Sequence, residues 1–369
     1  MSFGDQASLF PDGPNGLHLP ELWLQQEGPE ADVVVSTRMR LARNVEGFHF
    51  KSRFKEGESE RLEAYLREVL LEAEPRFRYH SMPALSSTER EVMFERHLVS
   101  REHVGDEQPR GVAFAPDGRT SVMVNEEDHL RIQAFAPGFD LESVDQRVNA
   151  LDDDVAGRVR YCFDARFGYR TSCPTNTGTG LRTSVMMHLP ALALRPAGNT
   201  KGRDRDLVRM RNAAEELGLT VRGLFGESSR AEGDFFQISN QVTLGRSPAQ
   251  TLQDVRELVK LVVEWERSNR EAHLRDDPGR LDDHVWRAWG LLTHARRLSS
   301  SEALSHLSAL RLGAQLDIFH EVRTPVIQSL MVNLRPAHLQ LRAERELEPD
   351  ERDELRARLI RDALGSSTR

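Results

Sequence analysis

Lysine is nearly missing from this chain of 369 residues and occurs only as Lys51, Lys55, Lys201 and Lys260. None of these stands in a G-x-x-x-x-G-K-[ST] loop, which excludes a P-loop lysine for nucleotide phosphates. Any phosphate chemistry must therefore run on arginine. Cysteine is scarcer still, with Cys162 and Cys173 alone, so a disulfide framework is excluded and a reducing cytoplasm is the expected compartment. No apolar run approaches the ~18 residues of a membrane span. A basic excess is missing too: a net charge of -8 and a pI near 5.9 argue against non-specific nucleic-acid binding. The opening MSFGDQASLFPDGPNG has neither a basic n-region nor an apolar h-region, so it does not read as a secretory signal.

What is present divides the chain. Its length predicts two domains. Residues 1–30, rich in Gly, Pro and polar side chains, read as a loose lead-in. Residues 31–246 carry mixed patterns. The β-branched stretch 31–35 reads as a strand ending in a functional loop, 58–73 as an amphipathic helix, and VAFA-Pro-Asp-Gly-TSVMVN as a hairpin turning at Asp117-Gly118. HLRIQAFA continues the alternation, Asp140 opens a helix to 156, and RYCFDA reads as a strand. Residues 181–194 read as a helix interrupted at Pro190, 205–217 as another helix, and TVRGLFG and FFQISNQVTLG as strands. From 247 to 369 helical periodicity takes over, at 252–265, 283–293, 301–312, 327–332 and 350–364. The expected class is α+β, followed by an all-helical C-terminal domain.

Five groups of residues carry chemistry. In Ser36-Thr-Arg-Met-Arg, an extended backbone points Arg38 and Arg40 to one face, and two guanidinium forks suit phosphate oxygens. An edge strand with solvated arginines is the plainer reading. Glu126, Glu127 and Asp128 sit between two apolar strands, where an acidic run is least expected. A guanidinium nucleophile is protonated at neutral pH, so its attack needs a carboxylate to orient the fork and take a proton. One of the two glutamates can do both. Cys173 precedes a Gly178-Thr-Gly180 turn read as opening a helix, whose N-terminus would lower a thiol pKa; a small buried hydrophobe is as good a reading. VRGLFGESSRAEGD places Arg222 ahead of Glu227 on a glycine-bearing loop able to close over a substrate. Finally, Arg352 and Arg356 stand at i, i+4 with Asp353 between them, a mildly unfavourable spacing unless an anion lies there.

In this order, S-x-R-x-R, N-E-E-D-H-x-R, C-P-T-N-x-G-T-G-x-R and R-G-x-x-G-E closely resemble the motifs of the ATP:guanido phosphotransferases, from about residue 32 to 245. The resemblance implies an antiparallel sheet flanked by helices, with Mg-ATP as cofactor. It implies that Arg38, Arg40, Arg131, Arg182 and Arg222 cradle the nucleotide phosphates. Glu127 would be the catalytic carboxylate, Glu227 a second one on a mobile loop, and Cys173 the reactive cysteine; no metal-ligating residue is assigned. Thr37 stands where the family more often has Ser, Arg170 replaces an apolar residue, and the loop reads GESSRA rather than GEGSEA. Only 35 residues precede the first motif, and PAHLQ (336–340) with R-D-x-x-R-A at Arg352–Ala357 resembles the helical domain of the branch acting on protein arginines. There Arg352, Asp353 and Arg356 would bind phosphoarginine and support self-assembly. Protein substrates with exposed arginines, an activator protein, a Clp-type protease and a homodimer or higher oligomer are the implied partners, with no nucleic acid and no membrane. The rival expectations are a small-molecule phosphagen kinase and a non-catalytic phosphoarginine-binding adaptor.

Overall fold

Strand β1 (Val34–Arg43) is the hub of the fold. The stretch read as a strand followed by a loop is in fact one strand of 10 residues. Both its edges are paired, which leaves its backbone no reason to leave the extended form. On one side it meets β5 (Leu130–Pro137) antiparallel, from Ser36↔Pro137 to Arg43↔Leu130. On the other it meets β8 (Leu181–His188). The computed structural model describes residues 26–105, 108–194, 202–223, 232–320 and 322–365.

The chain forms two compact units. In the first, Ser36–Ser184 with Asn240–Gln253, the sheet runs outward from β1 through β5 to β4 (Thr120–Val124), β3 (Gly111–Phe114) and β2 (Arg78–Ser81), pairing antiparallel at each step. Helix α1 (Glu58–Ala73) buries Leu62, Leu66, Val69 and Leu70, and α4 (Leu141–Ala156) buries Leu141, Val144, Val148, Leu151 and Val155. These stripes pack against the sheet and against each other. The Asp140 carboxylate caps α4, accepting from the Ser143 amide at 2.9 Å. Short helices α2 (Ser87–Glu95) and α3 (Arg101–Gly105) and the small hairpin β6 (Phe163–Asp164) with β7 (Gly168–Tyr169) complete this unit.

The stretch 181–194, read as a helix, is β8 up to His188, and only Pro190–Ala193 (α5) is helical. Thr183 and Val185 favour the strand, and β1 supplies its hydrogen-bond partners. Ala42 donates to the Gly180 carbonyl at 3.0 Å and His188 donates to Val33 at 2.8 Å, the reversed order of an antiparallel pair.

The second unit comprises Leu24–Val35, Val185–Ser239 and Asp254–Arg369. It contains α6 (Gly202–Glu216), β9 (Leu219–Gly223) and most of β10 (Phe235–Asn240). Helices follow: α7 (Pro248–Asp276) from Asp254 onward, α8 (Pro278–His294), α9 (Ser300–Gln315), α10 (Thr324–Asn333), α11 (Pro336–Ala343) and α12 (Pro349–Gly365). α9 is the inner helix, burying Leu307, Leu310 and Leu312. Gly313 is needed there, because a Cβ would lie 2.4 Å from Val285 Cγ1 and 2.9 Å from the Phe319 ring. Among the described residues no helix is long and apolar enough to cross a membrane.

Candidate active site

Four arginines converge on one face of the first unit, and the strand registers say why. Residues opposite one another in an antiparallel pair share a face, with Cβ atoms about 5 Å apart. Arg40 pairs with Gln133 on β5, Ala42 with Arg131 and Arg38 with Phe135. The Ala42–Gly180 bond fixes the register on the other side, which sets Arg40 opposite Arg182 and Arg38 opposite Ser184. Arg38 Nε accordingly donates to Ser184 Oγ at 3.2 Å, and its guanidinium lies 5.7 Å from the Phe135 ring centroid. Arg38, Arg40, Arg131 and Arg182 thus occupy one face of three adjacent strands, with small Ala42 leaving room beside Arg131.

This is an unfavourable arrangement for an empty sheet. Burial, with Arg131 and Arg182 beside it, lowers the Arg38 pKa to about 10. Burial lowers that of Arg40 as well, with Arg38, Arg131 and Arg182 all contributing and Glu126 alone opposing. Arg40 Nε is buried and has no hydrogen-bond partner among the described residues. A polyanion laid on this face would relieve both the repulsion and the unmet donor.

The acidic run sits in the turn joining β4 to β5, and its residues divide the labour. Asn125 adopts a left-handed φ of 59°, which asparagine tolerates, and its side-chain amide donates to the Pro109 carbonyl at 3.0 Å. Asp128 is fully buried, accepting from Asn44 Nδ2 at 2.7 Å and from the Ser172 amide at 2.6 Å. His129 is locked between the Val45 amide and the His49 carbonyl. Glu126 is buried and accepts from Arg131 Nη1 at 2.8 Å, Ser100 Oγ at 2.6 Å and the Glu127 amide at 2.7 Å. Burial would raise its pKa, but Arg131, Ser100 and that amide outweigh it and hold it low. Glu127 alone of the three acids is open to solvent, its side chain 42% exposed. It receives Arg131 Nη2 at 3.1 Å and Asn176 Nδ2 at 3.3 Å. Burial of part of its carboxyl, with Asp128 and Glu126 nearby, raises its pKa against the pull of Arg131 and Asn176. A carboxylate that is reachable, aimed by an arginine and easier to protonate than usual has the properties of a general base.

Cys173 is half-buried, its Sγ 3.0 Å from Thr175 Oγ1. The turn after it leads into strand β8, so the helix N-terminus expected to activate the thiol is absent; only the short 3-10 turn Pro174–Asn176 follows. Gly178 and Gly180 carry φ of 113° and 65°, and a Cβ on Gly178 would lie 2.4 Å from the Thr243 carbonyl. That close approach lets Thr243 Oγ1 donate to the Thr175 and Thr177 carbonyls at 2.9 and 2.6 Å, pinning the cysteine loop.

Two supporting residues escaped the sequence reading. Asn44 bonds Asp128, the Arg170 carbonyl and the His129 amide, joining β1 to the acidic turn. Ser184 steers Arg38. Strand periodicity at 181–188 would have exposed Ser184; nothing in the sequence marks Asn44. Of the departures from the family pattern, Thr37 is buried and donates to the Gly138 carbonyl at 2.7 Å, and Arg170 lies 5.8 Å from the Phe50 ring centroid. Neither touches the acidic turn's exposed carboxylate.

Arg222, Glu227, Arg352, Asp353 and Arg356 are the remaining candidates. Arg222 is on β9 in the second unit, half-buried, and Glu227 lies outside the described residues. On α12, Arg356 is not an open cation paired with Arg352. It is buried, donating to the Leu334 and Leu298 carbonyls at 3.0 and 2.7 Å and to Asp353 Oδ1 at 2.5 Å. The like-charge argument for an anion between Arg352 and Arg356 therefore falls, because helix packing already compensates Arg356. Arg352 is half-buried and donates to the Leu347 carbonyl at 3.4 Å. No group of three or more His, Cys, Asp or Glu could hold a metal ion among the described residues.

Comparison with known proteins agrees with this geometry. Residues 59–269 match the ATP:guanido phosphotransferase C-terminal catalytic domain, and residues 278–369 match the protein-arginine kinase McsB C-terminal domain. A protein-arginine kinase of Geobacillus stearothermophilus is 41% identical over 352 residues, covering 94% of each chain. That of Halothermothrix orenii is 39% identical over 343 residues, covering 93% of this chain and 96% of its own. Among solved structures, the substrate-free duplicated taurocyamine kinase from Schistosoma mansoni shares the fold with a TM-score of 0.56 at 23% identity, over 76% of this chain. The chain spans 40% of that duplicated protein. Lombricine kinase gives a TM-score of 0.55 at 23% identity, over 73% of this chain and 78% of its own. The chain belongs to the ATP:guanido phosphotransferases and carries, after their catalytic domain, the C-terminal domain of the protein-arginine kinases.

Proposed function

We propose that this protein transfers the γ-phosphoryl group of ATP to the guanidinium of arginine residues in proteins. The observation that carries the reading is the cationic face around Arg40 beside an exposed, arginine-aimed Glu127. The four arginines on β1, β5 and β8 hold the triphosphate and stabilise charge spreading over the transferred group. Glu127 receives the substrate fork, aligns one nitrogen with the γ-phosphorus and takes its proton. A P–N bond forms, the bond from the γ-phosphorus to the bridging oxygen breaks, and ADP leaves. Arg222 and Glu227 are assigned to complete the phosphate cradle and the guanidinium pocket. Cys173, held by Thr175, is assigned to contact the guanidinium. Magnesium, which binds chiefly through phosphate oxygens and water, would ride on the nucleotide and offset part of its charge.

Two findings support a protein rather than a free amino acid as the acceptor. The relatives near 40% identity are named protein-arginine kinase, and the helical C-terminal domain matches theirs. There Arg352, Asp353 and Arg356 are assigned to phosphoarginine, Arg356 being buried against Asp353 and the other two half-exposed. The fold likeness to taurocyamine and lombricine kinases keeps a small guanidino acceptor as the alternative. Phosphorus NMR after incubation with ATP should show an acid-labile P–N resonance on an unfolded arginine-rich protein. The kcat/KM for that protein should exceed that for free arginine; the reverse preference would assign the chain to small-molecule substrates.

A further inference from the structure

An arginine-lined groove in the second unit has no part in the chemistry above. It has a volume of about 640 Å³ and is bordered by α11, α12 and the connection between α8 and α9. In a chain of net charge -8, six arginines against two glutamates line this one place. Neither Arg352, Asp353 nor Arg356 is among them.

Both glutamates are already committed. Glu351 takes Arg345 Nη2 at 2.7 Å, and Glu354 takes Arg297 Nη2 at 2.6 Å. Arg361 donates to the Ala295 carbonyl, which carries no compensating charge. Arg296 and Arg358 are exposed and make no hydrogen bond or ion pair among the described residues. Burial and the neighbouring Arg358 lower the pKa of the half-buried Arg342, with Asp362 opposing them. Arg358 and Arg361, three residues apart on α12, repel in the same way.

We propose that this groove docks an acidic, aliphatic-bearing segment of a protein partner. Carboxylates already serve as its counter-ions at two corners, and guanidinium forks accept them bidentately. Half-buried Ala343 and Leu355, backed by buried Leu347, add apolar contact that a polypeptide would use and a bare polyanion would not. No aromatic side chain lines the groove, so it lacks the stacking platform on which nucleic-acid bases are held.

The test is fluorescence anisotropy of a labelled glutamate- and leucine-rich peptide with the full chain, in ~0.1 M salt, where a Debye length of about 10 Å still permits contact pairing. Wild type should bind, and the R296E/R358E double variant should bind at least ~10-fold more weakly, since each 1.4 kcal/mol lost is tenfold. R296Q/R358Q should fall between them. Thermal midpoint and phosphorylation of a protein substrate should not change. Absence of peptide binding to wild type, or equal affinity in all three proteins, overturns the proposal. So does tighter binding of inorganic polyphosphate or single-stranded DNA than of the peptide, if it too depends on Arg296 and Arg358.

Discussion

Arg311 in the helical unit and Arg40 on the central strand are both held away from bulk water, yet one is ringed by acceptors and the other by cations. Arg311 is fully buried, donating to the Ala31 carbonyl at 2.7 Å and facing His188 Nδ1 at 2.6 Å. Burial lowers its pKa to about 9, with Arg270 adding to the effect and Asp32 and Glu266 opposing it. Nearby, Arg270 is paired with Glu266 at 2.9 Å, and that glutamate also caps the Ala191 and Leu192 amides. Around Arg40 the cations dominate: Arg38, Arg131 and Arg182 push its pKa in the direction burial does, and Glu126 alone opposes them. Arg311 and Arg270 give their Nη groups to carbonyls, a ring nitrogen and carboxylates and act as scaffold, though Arg311 Nε, like Arg40 Nε, meets no partner among the described residues. Those on the sheet face crowd one another, with Glu126 and Glu127 beside Arg131, and a guanidinium cluster of this kind suits a triphosphate.

Breaking the chemical side of the contrast should have the largest effect. Glu127→Gln keeps a hydrogen-bonding group beside Arg131 but cannot take a proton. The account expects a fall in phosphoryl transfer of about 10²–10⁴-fold, the range typical of a lost general base, with ATP binding retained. Single-turnover kinetics with a protein substrate reads it, and transfer near the wild-type rate would remove Glu127 from the mechanism.

Breaking the scaffold side should instead cost stability. Glu266→Ala leaves the buried Arg270 with Asp32 as its remaining carboxylate and two amides without acceptors. The expected loss is about 3–5 kcal/mol in unfolding free energy, the usual effect of removing one member of a buried pair. Denaturant titration measures it; a loss under about 1 kcal/mol would show that this network is not scaffold.

These assignments bear on what could be read without coordinates. The helices at 58–73 and 141–156 and the hairpin at Asp117-Gly118 follow from local periodicity, capping and turn chemistry, which are sequence-local forces. The stretch 181–188 was misread because LRTSVMMHL supports either period, and only pairing with β1 decides it. The motifs named every arginine of the cluster, but not their convergence, which depends on the register that places Arg40 between Gln133 and Arg182. Nor could spacing separate Glu126 from Glu127. Their roles differ because Ser100 and Arg131 bury one and the turn exposes the other. Arg356 shows the converse: a motif arginine that packing turns inward.

A smaller effect sharpens the chemical side. Partial burial, Asp128 and Glu126 raise the Glu127 pKa, so its proton leaves at higher pH than from an ordinary glutamate. The base works only when deprotonated, so kcat/KM should rise with pH through a limb lying above the normal glutamate range. The pH–rate profile tests this, and a limb at or below that range would contradict the assignment.

The central claim is that the sheet arginines are held for a polyanion at a cost to the unliganded fold. Its most direct test is the unfolding free energy of Arg40→Met against wild type, with and without ATP. Without nucleotide the account predicts that Arg40→Met is as stable as wild type or more so, because a cation is withdrawn from among cations. With ATP at about 100 times its Kd, wild type should gain about 2.7 kcal/mol, and Arg40→Met most of that less. If Arg40→Met unfolds as readily as Glu266→Ala and ATP stabilises both it and wild type equally, Arg40 is scaffold and the claim fails.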